Sequence, residues 1–295
     1  FALQAAVAPE VLPTTSPSAT PTIAPTPTKS VPLVNPDNVV STPVLPLRKD
    51  IDNLFFARID LTGKIARVIN TENKSGFLPN SMAVGPSNTF LVGNELKLEN
   101  RSRGAIWKFN SEELADIFVF GDAQTVFKKA LATTSKSLNI IGSSAETINQ
   151  RKVIGKSDGI ILTISQTSGK VTKLLRSNGK AALRSWDSAS GNLQVAGTSR
   201  VGTTREAVFT SFTPKGVVAW STRLPKSVKA LINGYCAATE STGADAYIYL
   251  LNGKGKQIKG ARLLRQELLG VATTPTKGCA ILTSASNGEI RVSYL

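Results

Sequence analysis

The chain has 295 residues, 41% of them hydrophobic, and a formal net charge of +15 from 35 basic and 20 acidic side chains. It contains no histidine and only two cysteines, which excludes a Ser-His-Asp or Cys-His nucleophilic system, a His-ligated zinc site and a four-thiolate metal site. We therefore expect neither a metal nor a cofactor.

The first eight residues, FALQAAVA, are apolar and do not begin with Met. Ala6-Val7-Ala8 fits the small-residue end of a secretory signal peptide. Pro9 is unfavourable directly after a cleavage site, so the end of an uncleaved membrane anchor is an alternative, and a disordered apolar end is another. No later stretch reaches the ~18 apolar residues of a membrane span. We expect the folded part to lie outside the cytoplasm, secreted or anchored at the cell surface.

Residues 9–50 are dominated by Pro, Thr and Ser. Proline removes backbone donors, and Thr and Ser offer little apolar surface to bury. This composition predicts a disordered, extended linker that holds the following domain away from the membrane.

From residue 51 onwards the chain repeats a strand pattern. Asp52, Asp158, Glu206 and Asp245 are each followed ten or eleven residues later by a glycine, and then by an apolar run such as KIARVI or VVAWST. Short apolar strands that end in a small residue (FLVG, NIIG, QVAG, CAAT and AILT) recur about every 40 to 55 residues. We predict a hairpin of third and outer strands around each glycine.

A unit of that length holds four strands, the size of one propeller blade. We predict an all-β propeller over residues 51–295, with five blades and the last one shared between the two chain ends, which would remove the sheet edge. EIRVSYL at the end is a surplus third strand, which leaves six blades as an alternative, and a two-sheet sandwich is another. The second unit departs from the pattern, because Arg103 replaces the acid and SEELA replaces the glycine turn.

Three stretches resemble a known group of repeats. DGIILTISQTSGKVTKLL, EAVFTSFTPKGVVAWSTRL and LQVAGTS are similar to bacterial β-propeller repeats of the SBBP type, and GVVAWSTRL is also similar to the outer strand of PQQ-type quinoprotein repeats. The resemblance implies an exported or surface-exposed propeller with no activity common to the group. Only one unit carries the Trp, and no cofactor motif of a quinone dehydrogenase is present.

Cys236 and Cys279 occupy matching positions in GYCAAT and KGCAIL. An even cysteine number in an exported chain suggests a disulfide. Equivalent points on adjacent blades usually lie further apart than the ~7 Å that a disulfide spans, so two small buried apolar residues are the alternative.

The repeated acids allow a second functional hypothesis, a carboxylate-dependent carbohydrate-active enzyme. The five acids are Asp52, Asp158, Glu206, Asp245 and Glu289. Side chains at the same point of every repeat do not face one substrate, however, and an acid at a turn ordinarily accepts backbone hydrogen bonds. We therefore favour a non-enzymatic binding or scaffold propeller and assign no catalytic residue.

Charge is the feature that points to a ligand. Loops that join second to third strands, and outer to following inner strands, emerge on one face of a propeller, and the basic residues concentrate there. The predicted binding residues are Lys97, Arg101, Arg103, Arg151, Lys152, Lys156, Arg200, Arg205, Arg223, Lys226 and Lys229.

A concave basic face concentrates anionic ligands. The candidate partners are an anionic cell-wall polymer, an acidic glycan, an anionic membrane surface and an acidic protein. The alternative is that these loops only solvate the protein. We do not expect nucleic acid, because the loops lack the interleaved aromatic residues that stack on bases.

Overall fold

The computed structural model describes residues 2–3, 52–85, 87–97, 101–110, 113–132, 136–177, 182–191, 193–225, 227–276 and 278–295. These residues form strands in six antiparallel sheets, which confirms the predicted all-β class. Within these ranges there is no helix that is long and apolar enough to cross a membrane. The predicted linker, residues 9–50, lies outside the described residues.

The strands follow one another along the chain. Sheet 1 contains β1 (Ala2–Leu3), β2 (Asn53–Ile59) and β3 (Ile65–Glu72). Sheet 2 contains β4 (Phe77–Val84), β5 (Thr89–Lys97), β6 (Arg101–Phe109) and β7 (Leu114–Phe120). Sheet 3 contains β8 (Thr125–Ala132), β9 (Ser137–Ser144), β10 (Asp158–Ser165) and β11 (Val171–Arg176). Sheet 4 contains β12 (Leu183–Ser190), β13 (Gln194–Val201), β14 (Thr204–Phe212) and β15 (Val218–Pro225). Sheet 5 contains β16 (Ser227–Asn233), β17 (Cys236–Ser241), β18 (Ala246–Leu251) and β19 (Gln257–Leu263). Sheet 6 contains β20 (Gln266–Thr273), β21 (Cys279–Ala285) and β22 (Ile290–Tyr294).

Sheets 2 to 5 each have their four strands in chain order, and every strand pairs antiparallel with the next. The first strands of neighbouring sheets contact one another in the series β4, β8, β12, β16 and β20. These are the inner strands, and the sheets extend outwards from them. Sheets that converge on their first strands are the arrangement of propeller blades.

The packing between sheets accounts for the apolar residues on both sheet faces. Five separate hydrophobic clusters fill the five spaces between consecutive sheets. From sheets 1 and 2 to sheets 5 and 6, representative pairs are Phe56 with Phe109, Ile106 with Ile160, Ile161 with Trp186, Phe209 with Leu251, and Ile248 with Ile281.

The two ends of the chain lie in different sheets. Strands β2 and β3 form sheet 1, whereas β22 pairs with β21 in sheet 6. Among the described residues no hydrophobic cluster joins sheet 6 to sheet 1, and the blade shared between the ends that we expected is not formed by the described strands. The surplus third strand, EIRVSYL, includes β22, which pairs with β21 and is the third strand of sheet 6.

The predicted turn glycines connect the third and outer strands. Gly63, Gly169, Gly216 and Gly255 all have positive φ, between 65° and 83°, a region that only glycine enters without a steric penalty. Three of them also contact the outer strand of the preceding sheet. A Cβ would lie 2.3 Å from Phe118 at Gly169, 2.5 Å from Leu175 at Gly216 and 2.2 Å from Trp220 at Gly255, but would meet nothing at Gly63.

Cys236 and Cys279 form a disulfide, with their Cα atoms 5.4 Å apart. They begin β17 and β21, the second strands of sheets 5 and 6, and both are fully buried. The expectation that equivalent points of adjacent blades lie too far apart fails here because the second strands lie next to the inner strands, where neighbouring sheets converge.

We predict that Gly255→Ala destabilises the protein by about 1–3 kcal/mol more than Gly63→Ala. Both variants place a side chain at a similar positive φ, which costs about 1 kcal/mol, but only alanine at position 255 collides with the Trp220 indole, and overpacking costs about 1–3 kcal/mol. Urea unfolding monitored by circular dichroism measures the difference. Equal losses of stability in the two variants would show that the contact between turn and sheet is unimportant.

Candidate functional site

The antiparallel order brings ten connections to one end of the sheets, which we call the loop face: those between second and third strands and those between outer and following inner strands. Three groups of the predicted basic residues lie there. In sheet 2, Lys97 and Arg101 are cross-strand partners at the ends of β5 and β6, and Arg103 follows on β6. Lys97 and Arg101 are exposed, whereas Arg103 is half-buried.

The second group, Arg151, Lys152 and Lys156, lies exposed in the connection between β9 and β10. The Arg151 guanidinium donates to the Leu174 carbonyl, at 2.8 Å, which anchors this side chain to the outer strand of its own sheet. Lys152 and Lys156 form no ion pair among the described residues.

The third group lies on sheet 4. Arg200 and Arg205 are exposed cross-strand partners at the ends of β13 and β14. Arg223 is on β15, opposite Val208 of β14. Lys229 is half-buried on the inner strand β16, and its ammonium donates to the Leu268 carbonyl of sheet 6. Lys226 lies outside the described residues.

A cavity of about 380 Å³ opens among the ends of β12, β13 and β14. Three guanidinium side chains line it, those of Arg184, Arg200 and Arg205, together with Ser143, Ser157 and Thr198. We call it the arginine cavity. Ser143 and Ser157 come from sheet 3, so the cavity lies where sheets 3 and 4 meet on the loop face.

Arg184 was not among the predicted residues. It is half-buried on β12, and burial, together with the positive charge of Arg223, lowers the pKa of its guanidinium, while Asp158 and Glu206 oppose that shift. The sequence feature that could have identified Arg184 is its position directly after Leu183, at the start of an inner strand and therefore close to the loop face. A half-buried guanidinium beside two exposed ones suits an anionic ligand.

Internal ion pairs reduce the charge at two predicted residues. Arg103 Nη2 lies 2.6 Å from Glu95 Oε2, and Arg223 Nη1 lies 3.7 Å from Glu206 Oε2. Among the described residues, Lys97, Lys152, Lys156 and Arg205 form no such pair. On the loop face, positive charge without an ion partner among the described residues therefore lies at the exposed lysines of sheets 2 and 3 and at Arg205 beside the arginine cavity.

The repeated acids have a structural role in this fold. Asp158 pairs with Arg176 at 3.4 Å, Glu206 with Arg223, and Asp245 with Arg262. In each case the arginine is on the outer strand, opposite the residue two positions after the acid. Sheet 6 has no outer strand among its described residues, and there Glu289, just before β22, pairs with Arg291 of β22 at 2.7 Å.

These acids also hold turns. Asp158 accepts hydrogen bonds from the backbone N–H groups of Ile154 and Gly155, and Asp245 accepts one from Arg265. The Arg265 backbone hydrogen bond and then the Arg262 guanidinium lower the pKa of Asp245. Carboxylates that are paired with arginines of their own sheets do not converge on a shared substrate, which disfavours the carbohydrate-active alternative.

Glu146 organises the connection that carries the second basic group. It accepts backbone hydrogen bonds from Asp122 and Ala123, at 3.0 and 2.7 Å, and one from the Thr125 hydroxyl at 2.6 Å. Burial acts to raise the pKa of Glu146, but these hydrogen bonds outweigh it and lower the pKa below its ordinary value of 4.5. Glu146 thereby links this loop to the connection between β7 and β8 and to the start of β8.

Within the described ranges no group of three or more Cys, Asp or Glu side chains is placed to hold a metal ion.

No family model matches the chain, and no curated protein matches it. Solved structures do match. The Dos1 propeller is 10% identical with a TM-score of 0.49, over 82% of this chain and 61% of that one. BamB from Moraxella catarrhalis is 13% identical with a TM-score of 0.34, over 85% and 95% of the two chains. A Myxococcus xanthus glutaminyl cyclase is 10% identical with a TM-score of 0.35, over 75% and 93%. The chain thus spans about three fifths of the length of the Dos1 propeller structure.

We predict that Asp158→Asn lowers the free energy of unfolding by about 3–5 kcal/mol, because it leaves Arg176, whose side chain is 5% exposed, as an uncompensated buried charge. Glu206→Gln removes the equivalent carboxylate from a pair whose arginine is 52% exposed, and should cost about 1 kcal/mol or less. Urea unfolding of both variants measures the contrast. Similar losses would contradict the structural role assigned to the buried pair.

A second prediction concerns acid stability. Because the folded protein lowers the pKa of Glu146, its contribution to stability is present above pH 4.5 and is lost as the pH falls through the lower folded value. Glu146→Gln should therefore flatten the decline of stability below pH 4.5. Unfolding curves at several pH values test this, with the exposed Glu113→Gln as the matched removal of one carboxylate. Parallel wild-type and Glu146→Gln curves would refute it.

Proposed function

We propose that this protein is a non-enzymatic binding propeller that engages a polyanion through its loop face. The observation that supports this most directly is the arginine cavity, where Arg184, Arg200 and Arg205 line one space of about 380 Å³. Guanidinium groups bind carboxylates, sulfates and phosphates in bidentate geometry. Three of them around one cavity form a suitable anion site.

The neighbouring groups extend this site into a surface. Lys152 and Lys156 lie on the connection of sheet 3 that ends beside Ser157 of the cavity, and Lys97 and Arg101 lie on the adjacent sheet 2. A ligand with regularly spaced negative charges would contact several of these groups in turn. An anionic cell-wall polymer or acidic glycan fits this description best, ahead of an anionic membrane surface or an acidic protein.

We also propose that the protein is exported and that its repeats are related to the SBBP type. The disulfide between Cys236 and Cys279 supports export, because disulfides persist in oxidising compartments. The Pro/Thr/Ser-rich composition of residues 9–50 suits a spacer between a membrane and a binding domain. The relation of the repeats rests on the paired strands β10 with β11 and β14 with β15, which carry the resembling sequence.

Binding to dextran sulfate, a soluble polyanion, tests the proposal. The double substitution Arg200→Gln and Arg205→Gln should weaken binding about tenfold, which corresponds to about 1.4 kcal/mol. Binding of the unaltered protein should weaken steadily as NaCl rises, because salt screens exposed charges. Biolayer interferometry at several salt concentrations measures both effects.

The matched control is Lys254→Gln with Lys256→Gln. These two exposed lysines lie in the turn between β18 and β19, at the end of the sheets opposite the loop face. This pair should change the affinity less than twofold. If both double variants weaken binding equally, the effect is one of net charge and the assignment to the loop face is wrong. Polyglutamate and phosphatidylglycerol vesicles, used in parallel, rank the partner classes.

A further inference from the structure

A second cavity of about 360 Å³ lies where the inner strands of sheets 2 to 6 converge. It is separate from the arginine cavity, since the two have no lining residue in common. We call it the central cavity. Its volume lies within the ordinary range for small-ligand sites, about 300–1,000 Å³.

A bulge in each inner strand shapes this cavity. The pairing register shifts by one residue in all five strands. In β4, β8, β12 and β20 the shift lies at the same level and leaves Asn80, Lys128, Asp187 and Leu269 as extra residues. In β16 it lies two residues nearer the loop face and leaves Val228. Four of these line the cavity; Val228 does not. Bulges redirect side chains and are frequent beside binding sites.

The two sides of the cavity differ in chemistry. Strands β4, β8 and β12 contribute polar residues, among them Asn80, Lys128, Lys129 and Asp187. Strands β16 and β20 contribute mainly apolar residues, Leu231, Ile232, Leu269 and Val271, together with Asn233 at the end of β16. The cavity is therefore polar on one side and mainly apolar on the other.

Most of the uncharged polar groups already have partners in neighbouring sheets. The Asn80 amide donates to the Phe127 carbonyl at 2.6 Å, and the Ser81 hydroxyl accepts from the Ala130 N–H at 3.1 Å. The Ser188 hydroxyl donates to the Ile232 carbonyl and accepts from the Ile232 N–H, both at 3.2 Å. The polar side therefore presents mainly two ammonium groups and one carboxylate.

The charges of the cavity sum to one positive charge. Lys128 and Lys129 form no ion pair among the described residues, and Asp187 accepts a hydrogen bond from the Ser185 hydroxyl. Lys129 is half-buried, so its ammonium has lost part of its hydration without gaining a described counter-charge, which is unfavourable. An anion bound beside it would compensate for that loss.

We propose that the central cavity binds a small monocarboxylate with an apolar body, its carboxylate against Lys128 and Lys129 and its body against Leu231 and Leu269. The apolar side provides burial for the body. The single net positive charge favours one carboxylate over a multiply charged anion. This site does not rest on the polyanion surface proposed above.

Burial lowers the pKa of Lys129, which is consistent with an ammonium group that lacks a counter-charge and so supports the placement of the carboxylate beside Lys129. A bound carboxylate favours the charged form of the lysine, so binding should weaken as the pH rises through the pKa of Lys129. The other titratable groups that line the cavity are Lys128 and Asp187.

Hexanoate titration into the full chain tests the site, measured by isothermal calorimetry. Acetate carries the same carboxylate without the apolar body, and hexylammonium carries the body with the opposite charge. Both should bind at least tenfold more weakly than hexanoate. If hexylammonium or acetate binds as well as hexanoate, the proposed recognition is wrong.

Variants locate the binding. Lys129→Met keeps the length of the side chain without its charge and should weaken hexanoate about tenfold, whereas Lys129→Arg should retain the affinity. Lys254→Met, outside the cavity, is the matched control, and urea midpoints confirm that each variant is folded. Unchanged hexanoate affinity in folded Lys129→Met would overturn the proposal. The Arg200→Gln and Arg205→Gln variant should bind hexanoate normally, so the two proposed sites can fail independently.

Discussion

Burial of both faces of each sheet is the constraint on which the rest of the molecule depends. Successive strand residues point to opposite faces, and in the middle sheets both faces are apolar: Val208 belongs to the cluster with sheet 3 and Phe209 to the cluster with sheet 5. A sheet of this kind is stable in water only between two others. Stacking about the inner strands follows from that need and creates both the central cavity and the loop face.

The distribution of charge follows from the same architecture. In sheets 3 to 5 the third strand begins at the loop face with an acid that pairs with an arginine of the outer strand, as Asp158 does with Arg176 and Asp245 with Arg262. The acids are thereby engaged within the sheets. Exposed basic residues of the connections, such as Lys152 and Arg205, form no ion pair among the described residues and remain open to solvent at the loop face.

Several features of the fold could be predicted from local pattern alone. The acid-to-glycine spacing identified the hairpins, because a turn at positive φ requires glycine wherever it occurs, as at Gly216 and Gly255. The placement of the basic connections at one end of the sheets could also be predicted, because alternate connections of antiparallel strands emerge at the same end. The arginine cavity could not be predicted, because Arg184 is on a strand and its proximity to Arg200 depends on which strands pair.

The sequence by itself determined the strands, their turns and the face on which the basic connections emerge, since these depend on neighbours a few residues apart. Only the tertiary structure decided how the ends of the chain are placed, that Cys236 and Cys279 meet, and which side chains enclose the two cavities. Those outcomes depend on distances between sheets, and on one-residue bulges such as that at Lys128. A bulge changes the direction of a side chain without changing the residue pattern from which a strand is recognised.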